Sequence, residues 1–209
     1  MIGSLDLKGE LTTRKIKRPG PPKGWGLKNR LRLGHWWGIL STRLAKALTR
    51  LTGIPTITSE LEIIVCRVDG TREYYDVVSR RVVTDAGVAF IVDAWDNTVE
   101  LEMMNYHGCG TNSTAEAAGD TALGAESTTA LNPDSTRGTG TKTQPAANQL
   151  RTTGTLVFDN TVAVVEHGLF SQAATGGGVL FDRSVFSAIN VVSGDSITFQ
   201  YTVTFNSGG

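Results

Sequence analysis

With 209 residues, 20 Lys/Arg, 20 Asp/Glu and only two cysteines, the chain is long enough for one ordinary core plus an extension. Cys66 and Cys109 lie too far apart in sequence to define a disulfide framework or a four-ligand zinc site. The net charge of zero hides a division: residues 1–60 carry 12 Lys/Arg against 3 Asp/Glu, and residues 61–209 carry 8 against 17, so a +9 leader precedes a −9 body. Such polarity suits an arm that docks on an acidic surface.

The N-terminal MIGSLDLKGELTTRKIKRPG is polar and lacks the apolar centre of a secretory signal. No stretch is apolar and long enough to span a bilayer, so the expected location is a cytoplasm, or a particle assembled there, and no membrane partner is expected. From Thr12 to Asn29, Arg14, Lys15, Lys17, Arg18, Lys23 and Trp25 are interleaved with Pro19-Gly20-Pro21-Pro22, Gly24 and Gly26. Proline and glycine at that density exclude regular helix and predict an extended, solvated chain. Next, Leu33, Trp36, Trp37, Leu40, Leu44, Leu48 and Leu51 recur at helical spacing, while Arg30, Arg32, Arg43, Lys46 and Arg50 fall largely elsewhere, which predicts a basic amphipathic helix ending before Gly53 and Pro55. Its apolar stripe needs a partner: the chain's own body or another subunit first, secondarily a nucleic acid, whose phosphates such cations neutralise and whose bases tryptophans stack on, and last a membrane interface. His35 is expected to pack beside the tryptophans. Residues 1–56 therefore make up a basic Pro/Gly-rich arm, and its cations and tryptophans are the expected partner-binding residues.

Residues 57–209 change to short β-like runs between polar turns, the pattern of an all-β domain. LEIIVCRVDG and TREYYDVVSRRVVT predict a hairpin turning at Asp69-Gly70. AGVAFIVDAWDN fits a short helix with Val88, Ile91, Val92 and Trp95 on one face, with a bent strand as the alternative. In VELEMMNYHGCGT, Leu101, Met103, Asn105 and His107 alternate onto one side of an expected strand. The Thr/Ala/Gly-rich run at about 108–150 is expected to be a long surface loop contacting a partner. The last third predicts strands in RTTGTLVFDN, TVAVVEHGLFSQ, GGVLFDRSVFS and SGDSITFQYTVTF. In the last of these, Ile197, Phe199, Tyr201, Val203 and Phe205 alternate with Thr198, Gln200, Thr202 and Thr204, so one face is buried. The expected fold is all-β, a sandwich of jelly-roll type.

For chemistry the candidates are His107, Cys109, Glu166 and His167. Imidazole and thiolate suit zinc, but the spacing is none of the recurrent zinc patterns. A Cys109/His167 nucleophile would need the two to meet. The alternative places both histidines at strand ends, bonded to backbone, with Glu166 capping a turn. GTGT near residue 140 and Gly176-Gly177-Gly178 match no phosphate-binding fingerprint and are expected to be positive-φ turns. No catalytic, cofactor-binding or metal-binding residue is expected.

The stretch MMNYHGCGTNSTAEAAGDTALGAESTTALNPDSTRGTGT resembles a run common in tailed-phage virion proteins, with its YHG(x)GT opening, GDTAL centre and NPDxTR close. EHGLFSQAATGGGVLFDRSVFSAINVVSGDSITFQYTVTF is similar to their second half, in which a Glu-x-Gly-Leu-Phe strand, a Gly-rich turn, a Phe-x-Arg strand and a Gly-Asp turn lead into an alternating strand. The likeness covers about residues 80 to 209. It implies a virion structural role and transfers no catalytic residue. The expected function is a capsid decoration (cement) protein whose arm binds the major capsid protein or other virion subunits. The alternatives are a neck or tail component, such as a connector-associated protein or head fibre, or a receptor-binding module acting through the long loop. A homo-oligomer, dimer or trimer, is expected to bury Trp36 and Trp37.

Overall fold

The computed structural model describes residues 55–80 and 83–207, together with the backbone of two short strands, β1 (Ser4–Leu5) and β2 (Leu11–Thr12), which pair antiparallel. The Pro-rich stretch beyond Thr12 and the basic helix expected before Pro55 lie outside the described residues.

The body is mostly β and forms two antiparallel sheets. The five-stranded sheet runs β4 (Arg72–Ser79), β3 (Thr56–Cys66), β11 (Ser196–Asn206), β8 (Gln149–Val157), β7 (Thr141–Thr143). At its centre β11 pairs along its whole length with β3, from Ser196 opposite Cys66 to Asn206 opposite Thr56. The alternation expected of β11 holds over most of the strand: Ile197, Phe199, Tyr201 and Val203 are buried and Phe205 at the end is exposed, while on the other face Thr202 is buried as well. Leu61, Ile63 and Val65 of β3 alternate inward beside them. The β3–β4 hairpin turns at Asp69-Gly70, where Gly70 has φ +82° and the Asp69 carboxylate accepts from Thr71 N–H at 2.8 Å.

The four-stranded sheet runs β10 (Leu180–Val191), β9 (Val162–Phe170), β5 (Tyr106–Gly110), β6 (Gly138–Thr139). One cluster of buried side chains joins both sheets, with Leu61, Ile197 and Phe199 from one and Cys109, Leu169 and Phe181 from the other. Seven consecutive residues of β9, Val164–Phe170, are buried. A strand covered on one face alone would alternate. Here the outer face is covered by residues 111–137, whose Leu123 packs with Phe170 and Leu180 in a second small cluster.

Helix α1 (Asp85–Trp95) follows β4. Its N-cap is Thr84, whose hydroxyl accepts from Gly87 N–H at 3.0 Å and donates to the Leu180 carbonyl at 2.6 Å, fixing the helix to β10. The helix forms where expected but presents a different face: Gly87, Phe90 and Ile91 are buried, and Val88, Val92 and Trp95 are exposed. Docking on β10 selects the face that contains Phe90, the largest side chain in the middle of the helix. Leu101 and Met103, expected on one side of a strand, instead form an exposed 3-10 turn (Leu101–Met103), and the strand begins only at Tyr106.

The expected surface loop at about 108–150 is mostly exposed, but it contains part of β5, all of β6 and β7 and the start of β8, and it buries Leu123, Ser127, Leu131 and Arg137. Of the two Gly-rich stretches, Gly176 and Gly178 have φ of +75° and +78°, as expected. Gly138 and Gly140 do not. They lie where the chain crosses from one sheet to the other and packs tightly against Thr155 and Thr152.

Candidate functional site

The polar residues of greatest burial lie in two layers, one above the four-stranded sheet and one between the sheets. In strand geometry successive side chains point to opposite faces. Glu166, Gly168 and Phe170 of β9 therefore face the 111–137 segment, and His167 and Leu169 face the core.

In the outer layer, Glu166 is fully buried and accepts backbone N–H bonds from Asn112, Gly124 and Ala125 at 3.2, 3.0 and 2.8 Å. Arg183 of β10 donates to it at 2.8 Å and to Asp120 at 2.9 Å, and also reaches the Thr114 carbonyl at 3.3 Å. Burial works against the Arg183 cation, but the Asp120 and Glu166 carboxylates outweigh it and hold its pKa above the ordinary value. A second arginine closes the segment. Arg137 grips Glu126 with two bonds of 2.6 and 3.0 Å and donates to the carbonyls of Gln172 and Gly177 at 2.9 and 2.8 Å. Its guanidinium carbon lies 3.4 Å from the Phe170 ring centroid, a desolvated cation–π contact. Glu126 also accepts from Gly176 N–H at 3.2 Å. The segment's backbone thus reaches Glu166, its acids reach two buried arginines, and the Gly-rich turn is drawn into the same network. Gly110 is required beneath it, because a Cβ there would collide with the Ala125 carbonyl and with Glu166.

In the inner layer, Nδ1 of His107 lies 2.9 Å from Nε2 of His167, and Nε2 of His107 lies 3.2 Å from Thr152 Oγ1. The partners fix the protons. The Asn105 amide donates to the Gly140 carbonyl at 2.5 Å, so Asn105 Oδ1 is the acceptor for the Thr152 hydroxyl at 2.7 Å. Having spent its proton, Thr152 Oγ1 accepts from His107 Nε2–H. His107 Nδ1 is then bare and accepts from His167 Nε2–H. His167 Nδ1, which has no hydrogen-bond partner among the described residues, is left as a lone pair rather than a stranded N–H. All the bonds run in one direction, and Thr152 on β8 ties this chain to the other sheet. Burial pushes the His107 imidazole down to about 3 and holds His167 well below its ordinary value, so both are neutral.

Asp182 is buried beside this layer, accepting from Ser184 at 2.8 Å and Ser59 at 3.3 Å. Burial pushes its carboxyl up to about 7. Cys109 stands directly opposite His167 in the β5–β9 register. The two groups considered as a nucleophile pair are thus cross-strand neighbours, but no hydrogen bond joins them, since His167 Nε2 bonds His107 and its Nδ1 has no partner among the described residues, and burial pushes the thiol up to about 12, which keeps it protonated. Among the described residues no three His, Cys, Asp or Glu side chains gather as a metal site.

The histidines therefore sit inside strands and bond to side chains, not at strand ends bonded to backbone. Glu166 does cap a turn, and three backbone N–H groups meet it. Arg14, Lys15, Lys17, Arg18, Lys23, Trp25, Arg30, Arg32, Trp36, Trp37, Arg43, Lys46 and Arg50, the expected partner-binding residues, lie outside the described residues. Asp120, Glu126, Arg137, Asp182 and Arg183, none of them a sequence candidate for the site although Asp120, Arg137 and Arg183 fall in the motifs that carry the resemblance, supply the buried ion pairs and the buried carboxyl. A signal was present, since Asp182-Arg183 interrupts the otherwise apolar VLFDRSVF strand, where a charge persists only if paired.

Neither a protein-family profile nor a curated protein matches this chain, and no solved structure matches it.

Proposed function

We propose that the chain is a structural subunit of a tailed-phage particle, a jelly-roll sandwich that decorates the capsid shell and holds its subunits through the basic arm. The observation that carries this reading is the charge division. Residues 13–54 hold 11 Lys/Arg and no Asp/Glu, ahead of a body with a net charge of −9. The jelly-roll assignment is supported by nesting: β8 pairs with β11 in one sheet while β9 and β10, which lie between them in sequence, pair in the other.

The resemblance to virion proteins supports the reading in a specific way. Asp120 and Leu123 of GDTAL, Arg137 of NPDSTR, Glu166 and Phe170 of EHGLF and Arg183 of FDRS are members of the buried outer layer. The likeness is therefore to a body whose long segment is ordered by its own ion pairs and presents a fixed surface. A fixed body with a cationic arm gains strength by repetition, since many modest contacts summed over copies brace a shell.

The test compares particles with and without the protein under heating and osmotic shock. Particles lacking it release DNA at lower temperature, and adding back the full chain restores resistance. Equal resistance in both would rule out the cement role.

A further inference from the structure

Among the described residues nothing covers one face of helix α1. Val88, Val92 and Trp95 stand at i, i+4 and i+7 and are 45 %, 54 % and 84 % exposed, and Leu101 and Met103 of the adjoining 3-10 turn are 41 % and 48 % exposed. The same patch is anionic. Asp93, Asp96, Glu100 and Glu102 are exposed around it, and no Lys or Arg occurs between residues 83 and 136. Lys142 reaches it from β7, donating to the Glu102 carbonyl at 2.8 Å. The last turn of α1 carries Asp93, is capped by Asp96 and has no basic residue. This is the helix end at which the backbone dipole disfavours anions. The face is apolar and short of positive charge at once.

We propose that residues 31–52 of the same chain cover this face. LRLGHWWGILSTRLAKALTRLT supplies Trp36, Trp37 and leucines at helical spacing together with Arg32, Arg43, Lys46 and Arg50, and it has no acid. Apolar stripe meets apolar face, and cations meet carboxylates that no described Lys or Arg pairs. The topology puts the start of β3, to which the segment is tethered, on the side toward which β4 runs before α1. β3 starts at Thr56, and Ser79 at the end of β4 pairs with Leu61, so the chain leaves β4 toward the N-terminal end of β3 and then enters α1. A tether of three residues, 53–55, separates the segment from β3, which gives it a high effective concentration on its own body compared with a second copy. Docking in cis would fix the root of residues 13–30 and leave that stretch free for a partner. It requires no phage component, so it holds or fails apart from the particle role.

The experiment is hydrogen exchange with mass spectrometry on the full chain, wild type and Val92→Ser/Trp95→Ser, across a hundredfold range of protein concentration. Both substituted side chains are exposed, so β9 and β11 amides retain their protection and report that the body is folded. The expected result is that peptides within 31–52 exchange at least tenfold more slowly than an unstructured reference in wild type, at every concentration, and lose that protection in the double variant. The proposal is overturned if 31–52 is unprotected in wild type, or if its protection survives the double variant. Protection that disappears on dilution also overturns it and assigns the face to a second copy.

Discussion

Asp182→Asn separates two opposing titrations in the core. A carboxyl at about 7 when folded and 3.8 when unfolded keeps its proton in the folded chain while the unfolded chain releases it. Its contribution to stability is fully present below the unfolded value and is lost as pH rises to about 7. The histidines act in the opposite sense. Held neutral by burial, they leave the unfolded chain to take up protons below about 6.5, so their contribution is lost as pH falls below that value. Between pH 7 and pH 5, His107 alone removes about 2 kcal/mol and Asp182 restores about 2 kcal/mol, with His167 adding to the loss. Asparagine keeps an acceptor for Ser184 and can donate to Ser59, but it does not titrate. Urea unfolding followed by circular dichroism from pH 5 to pH 8 should show Asp182→Asn more stable than wild type at pH 8. That advantage should shrink by about 2 kcal/mol between pH 7 and pH 5. A difference between the two proteins that stays constant over the whole range would refute a raised Asp182 pKa.

Three further outcomes follow from the same contacts. Glu166→Gln leaves Arg183 with Asp120 as its remaining carboxylate and weakens three backbone bonds, at a cost of about 3–5 kcal/mol. It should lower Tm and speed exchange of the Gly124 and Ala125 amides ahead of the core, and unchanged protection there would contradict the role given to Glu166. Gly110→Ala should destabilise the chain by about 1–3 kcal/mol in a denaturant titration, because the Ala125 backbone must give way; a neutral effect would contradict the close approach. Nitrogen NMR at pH 7 should show both His107 and His167 as neutral Nε2–H tautomers, and an Nδ1–H on either would break the directed chain.

What was legible in the sequence is what local period and turn chemistry control. The alternation from Ile197 to Phe205 identified β11, and Asp69-Gly70 identified the hairpin, because both signals act over a few residues. The helix was legible but its face was not: 88/92/95 and 87/90/91 overlap around one cylinder, and contact with β10 chooses between them. The order of residues 111–137 was hidden because Thr/Ala/Gly composition has little local preference. It is imposed from a distance by Arg183, 63 residues from Asp120, and by Glu166, 54 residues from Asn112. His107 and His167 were recognised as candidates, but their roles depend on a cross-strand register that no spacing within the sequence encodes.

The copy number of this chain in purified phage particles, measured by quantitative mass spectrometry against the major capsid protein, tests the proposed structural role most directly. A decoration protein should be present at one copy per capsid subunit or a fixed large fraction of that number. A count of about a dozen would contradict shell decoration and place the chain at the neck or tail, and its absence from the particle would contradict the structural role itself.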